Sequence, residues 1–120
     1  MAKSNERDIG KFLEECRELL ENNFFLWRRQ ENKETRIALG LTNADIKNIV
    51  RNLTVGDYSS GPEGDYNSTD LIWVFGVDIE SREVYIKLLI SEFNDPGERI
   101  KTLHCLSFHF AERGLNYPYK

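Results

Sequence analysis

The chain predicts an α+β domain with N-terminal helices packed on a twisted antiparallel β-sheet, and three observations carry that expectation. Ile9, Phe12, Leu13, Cys16, Leu19 and Leu20 recur at the spacing of one helix face, with Glu and Arg between them. Ile46, Ile49, Val50 and Leu53 repeat the pattern at i, i+3, i+4 and i+7. Beyond Leu71 the period changes, and turn signals divide the chain into three successive extended runs. Helices first and consecutive strands afterwards are the order of an α+β fold. At 120 residues the chain fits one domain, 1–120, and a domain of that size buries about two-thirds of its unfolded surface. No repeat, low-complexity segment or internal boundary interrupts it.

The first helix is expected to end near Asn22-Asn23, and Phe24-Phe25-Leu26-Trp27 then reads as a short buried strand leaving through Arg28-Arg29. Residues 30–34 are polar and predict a loop; a short helical stretch from Thr35 to Leu39 is stopped by Gly40. Thr42-Asn43-Ala44-Asp45 has the form of a capping box ahead of the second amphipathic helix. Thr54 to Thr69 is the longest stretch without a pattern, rich in Gly, Ser, Asp and Pro, and a loop of that length in a small domain is often functional. Leu71 to Ile79 is almost unbroken apolar sequence, as in a central strand covered on both faces. Asp78 to Glu83 marks a turn, Val84 to Phe93 the next strand, Asn94-Asp95-Pro96-Gly97-Glu98 a second turn, and Ile100 to Phe110 the last strand. The tail from Leu115 to Lys120, with two tyrosines and a terminal lysine, reads as a loose end, or as a segment that covers the sheet or reaches the site.

Composition narrows the function. Hydrophobic residues make up 40% and charged residues 30%, ordinary for a soluble domain. No apolar run approaches the roughly 20 residues of a spanning helix, and no signal-peptide core follows the charged N-terminus, so a cytoplasmic protein without membrane contact is expected. Cys16 and Cys105 both sit in apolar patterns, as reduced core thiols do; a disulfide between them is the alternative. Residues 1–51 have net charge +1 and residues 52–120 net charge −5. The overall charge of −4 argues against a broad nucleic-acid-binding face and leaves room for a local cationic site.

One constellation points to chemistry. In Val84-Tyr85-Ile86-Lys87-Leu88 the apolar residues face one way, and Tyr85 and Lys87 the other. Along Cys105-Leu106-Ser107-Phe108-His109, simple alternation puts Leu106 and Phe108 on the apolar face and Ser107 and His109 opposite. If the two segments share a sheet, a phenol, an ammonium, a hydroxyl and an imidazole converge outside the core. His109 can exchange protons near neutral pH, while Lys87 can stabilise an anion; the plainer reading of each is a solvated strand residue. By the same alternation His104 lies opposite His109, which weakens a His104–Cys105–His109 metal site. Cys105 shares the face of His109 but lies about 13 Å away, too far for a dyad. No zinc, nucleophile-elbow or phosphate-loop motif occurs, so neither metal nor cofactor is expected. Asp57, Glu63, Asp65 and Asp70 read as a solvated acidic loop. Arg28, Arg29, Lys33 and Arg36 form the only local basic cluster, suited to phosphates, to an acidic partner or simply to solvent.

From about Phe24 to His109 the chain resembles the MqsR family (motility quorum-sensing regulator toxins) and related ParE-like toxins of bacterial type II toxin–antitoxin systems, within the RelE/ParE-like superfamily. The carriers are Ala38-Leu39-Gly40-Leu41, then Leu53 through Pro62, Ile72-Trp73-Val74-Phe75-Gly76, Val84-Tyr85-Ile86-Lys87 and Leu106-Ser107-Phe108-His109. Their order and spacing, rather than any one signature, make the match. The resemblance implies a RelE/ParE-like fold and a toxin that cleaves mRNA without a metal and is silenced by a cognate antitoxin. It implies a role in activity for Tyr85. It also places His109 and Ser60 where relatives carry lysines, and Val74 where they carry a glutamine. The reading is therefore an endoribonuclease with catalytic His109, Lys87 and Tyr85 and substrate contacts from Arg28, Arg29, Ser107 and Ser60. The alternative implied by the same family is a ParE-like toxin that binds DNA gyrase or another protein without chemistry of its own.

Overall fold

Helix α1, Glu6–Leu19, starts where Asn5 accepts the Asp8 amide on its side chain, and Glu6 and Asp8 complement the positive end of the helix dipole. It buries Ile9, Phe12, Leu13 and Cys16 and stops at Leu20, a turn before the expected end. This computed structural model describes residues 3–64 and 70–120. Strand β1, Phe24–Leu26, is an edge rather than a buried strand, with Phe25 52% exposed. Helix α2, Gln30–Leu39, takes in residues 30–34, where a loop is expected from sequence. Those residues carry no apolar period because the side chains this helix buries are polar: Asn32 and Thr35. Gly40 ends it in the left-handed conformation, φ 67°, as the sequence predicts. Helix α3, Asn43–Arg51, has the expected capping box between Thr42 and Asp45.

A 3-10 turn, Val55–Asp57, leads into β2, Tyr58–Gly64, where the sequence predicts irregular chain. Two register shifts against the next strand mask its alternation. Gly61 sits at φ 105°, and a Cβ there would lie 2.5 Å from the Ile72 carbonyl oxygen. The remainder of that expected loop, 65–69 with Asp65, lies outside the described residues. The strands β3, Leu71–Ile79, β4, Arg82–Asp95, and β5, Glu98–Phe110, form the predicted meander. Positive φ at Glu80 and Ser81 makes the first turn the two-residue kind that matches strand twist. Pro96 followed by positive-φ Gly97 makes the second.

The sheet order is β1-β5-β4-β3-β2. All pairs are antiparallel except β1–β5, so the sheet is mixed and the expectation of a purely antiparallel one is corrected. Everything from α2 to β4 separates those two strands, which gives the chain length for a parallel return. The three helices and the mixed sheet make an α+β fold. Helices α1 and α3 cover one face of the sheet. There Phe12 stacks on Trp73 at 4.5 Å, and Tyr58 meets the edges of Trp73 and Phe75. Cys16 and Cys105 are buried free thiols in this core. Strand β3 is covered on both faces only near Gly76; elsewhere its burial alternates, with Trp73 and Phe75 inward. Among the described residues no helix is long and apolar enough to cross a membrane.

The free side of β5 is covered in two ways. Its residues Leu103 to Cys105 pair with β1. Farther along, Asn32 of α2 donates to the Leu106 carbonyl at 3.1 Å and accepts the Phe108 amide at 2.9 Å, while Thr35 accepts the Phe110 amide at 3.2 Å. Two helix side chains thus replace a neighbouring strand, and this fixes α2 against the edge of β5.

Candidate functional site

On the face away from α1 and α3, the register lays side chains out in rows. Gly76, Tyr85 and His109 form one row; Ser60, Val74, Lys87 and Ser107 the next. Glu63, Ile72, Leu89, His104 and Phe25 form a third, crossing all five strands. The proposed triad is therefore brought together: Tyr85 and His109 are cross-strand neighbours with rings stacked at 5.2 Å and 18°, and Lys87 stands one row on. Ser60 shares the Lys87 row two strands away. Ser107, opposite Lys87, is only 2% exposed and belongs to the floor of this face.

Arg28 and Arg29 do not join that group. Their segment runs outward from β1 into α2, and both line a groove of about 1050 Å³ between β1, α2 and α3. Arg29 lies over the Trp27 ring, 5.2 Å from its centre.

Simple alternation fails in β5 at one point. Lys87 pairs with Ser107 and Leu88 with Cys105, so Leu106 is the extra residue of a bulge. Two expectations are corrected by it. Cys105 faces the core with Leu88, away from His109, and His104 joins His109 on the outer face instead of opposing it. Among the described residues no cluster has the makings of a metal site.

The hydrogen bonds assign ring protons. His109 Nδ1 lies 3.0 Å from the Phe110 carbonyl, which can only accept, so Nδ1 carries the hydrogen and the neutral ring keeps its lone pair on Nε2. His104 has the opposite tautomer: its Nδ1 accepts the Trp27 indole N–H at 3.1 Å, leaving Nε2–H for the Thr102 hydroxyl at 2.9 Å. Phe25 stacks on the same ring at 5.4 Å. Burial lowers the His104 pKa, opposed by the charge of Asp70. Burial raises the Tyr85 pKa, with a further push from Glu63, so its phenol stays protonated.

The tail is a wall of the site. A Cβ on Gly76 would collide with Tyr117 Oη and Leu115 Cδ1, which puts both over the outer face next to Tyr85. Glu83 anchors the tail by accepting the Leu115 amide at 3.0 Å and the Tyr117 hydroxyl at 2.7 Å. Burial, reinforced by this bond, raises the Tyr117 pKa. Farther on, Tyr119 donates to the Ser4 carbonyl at 2.6 Å. The tail's two tyrosines, Tyr117 and Tyr119, mark it in the sequence as a cover for the sheet, whereas no motif singles out the Trp27–His104–Phe25 cluster. Comparison with protein-family models, curated proteins and solved structures gives no match for this chain.

Proposed function

We propose that this chain is a metal-independent endoribonuclease of the toxin type, acting on mRNA from the sheet face that carries Tyr85, Lys87 and His109 and restrained by a cognate antitoxin. The stacking of Tyr85 on His109 beside Lys87 carries the chemical part of the reading; the toxin part rests on the resemblance described above. His109 Nε2 takes the proton of a ribose 2′-hydroxyl as its oxygen bonds to phosphorus. The Lys87 ammonium stabilises the charge that accumulates on the phosphorane. The P–O5′ bond then breaks and the Tyr85 phenol donates its proton to the leaving oxygen, a role that needs a phenol still protonated at neutral pH. The imidazolium of His109 restores that proton. The products are a 2′,3′-cyclic phosphate and a 5′-hydroxyl.

Purified protein with single-stranded RNA in excess EDTA tests this through the chemistry of the new ends. His109→Ala and Tyr85→Phe are each expected to slow cleavage about a hundredfold. Growth arrest undiminished in both variants would overturn the mechanism. DNA breaks accumulating without RNA decay would transfer the reading to a gyrase-directed toxin.

A further inference from the structure

The exit of β1 carries a second surface, on the far side of β1 from the Tyr85–His109 pair. Among the described residues β1 pairs only with β5. In that ladder Leu103 donates to the Asn23 carbonyl at 2.8 Å and Trp27 donates to the Cys105 carbonyl at 3.0 Å. A parallel ladder uses alternate residues of each strand. Asn23, Phe25 and Trp27 therefore face β5, and the N–H and C=O of Phe24 and Leu26 face the other way, into the groove that both residues line. Among the described residues the groove walls hold five cations, Arg28, Arg29, Lys33, Arg36 and Lys47, and not one carboxylate, in a chain whose net charge is −4.

We infer that this groove takes an extended acidic segment of a partner protein, which adds to β1 as a sixth strand. The exposed edge supplies alternating donors and acceptors, the pattern a peptide backbone satisfies in strand addition. Carboxylates of the added strand meet the cations that line the groove, and the apolar alternate positions lie along Phe24 and Leu26. A nucleic acid fits the same edge less well, because phosphates only accept and would leave the outward carbonyls of Phe24 and Leu26 without donors. The two rings that could offer a stacking platform are partly engaged: Phe25, 52% exposed, stacks on His104, and Trp27, 43% exposed, has Arg29 over its ring and its N–H bonded to His104. The surface is independent of the proposed RNA chemistry, since none of its five cations belongs to the Tyr85–Lys87–His109 group.

The test uses a fluorescein-labelled decapeptide of alternating Val and Asp, its counterpart with Lys for Asp, and a dozen-nucleotide oligouridylate. The acidic peptide is expected to bind with a Kd below about 100 µM and the basic one not at all. The double variant Arg28→Glu/Arg36→Glu, checked for native circular dichroism, is expected to weaken binding at least about tenfold. Two further peptides carry N-methyl groups on one or the other set of alternate amides, leaving the protein untouched. Methylation of the set facing β1 abolishes binding, and methylation of the other set preserves it. Equal binding by both methylated peptides would show mere charge attraction and overturn strand addition. So would absence of binding by the acidic peptide, or oligouridylate displacing it from the groove at lower concentration.

Discussion

His104 and His109 stand on the same face of β5 although five residues separate them, because Leu106 is a bulge that resets the alternation between them. That one inserted residue gives the outer face two imidazoles with opposite tautomers. His109 keeps an open lone pair beside Tyr85, while both nitrogens of His104 are engaged, one by Trp27 and one by Thr102.

The His104 arrangement makes stability depend on pH. The indole N–H of Trp27 needs an unprotonated Nδ1, and burial lowers the pKa below its reference of 6.5. Above that value folded and unfolded rings are both neutral and the contribution is complete. As pH falls below it the unfolded chain takes up the proton first, and stability is lost until the folded pKa is passed. Urea unfolding at pH 7.5 and 5.5 is expected to show this loss in the native chain and a smaller one in His104→Gln.

Asn32 is expected to be the most sensitive polar residue in the fold. Asn32→Ala leaves the buried Leu106 carbonyl and Phe108 amide without partners, at a cost of about 2–4 kcal/mol. Asn32→Asp keeps an acceptor for Phe108 but turns a carboxylate toward the Trp27 and Leu106 carbonyls, so it does not rescue. Urea midpoints with unchanged m-values check both.

Gly76→Ala is expected to lift the tail. The added methyl meets Tyr117 and Leu115, and either displacement or overpacking costs about 1–3 kcal/mol. Trypsin cleavage after the exposed Arg113 should accelerate. Tyr117→Phe, which removes the bond to Glu83 without a clash, should accelerate it less.

Tyr85→Phe separates packing from chemistry. The ring stack on His109 survives, so thermal stability should stay within about 0.5 kcal/mol of the native chain. RNA cleavage, if Tyr85 is the acid, should fall about a hundredfold in the same protein. A variant that loses stability and activity together would mark the hydroxyl as structural.

The elements that carry an apolar period were legible before any coordinates: α1, α3 with its Thr42–Asp45 box, and the β3–β4–β5 meander with both turns. Each is specified by neighbours in sequence, through caps, turn residues and the spacing of side chains that reach the core. The joint placement of Tyr85, Lys87 and His109 was legible for the same reason, since period-two alternation and one antiparallel pairing suffice to set it.

Tertiary structure alone decided what long-range contacts hold. α2 is a helix through its polar start because Asn32 and Thr35 bond to the edge of β5, a partner more than seventy residues distant. β2 is a strand because β3 supplies its hydrogen bonds across the two shifts, and β1 is parallel because β5 returns beside it. The face of His104 was set by a bulge that no local residue pattern announces. A side-chain period records which face meets the core, but it carries no trace of hydrogen bonds made edge to edge, and those bonds settled the border of this sheet and the position of Arg28 and Arg29 beyond it.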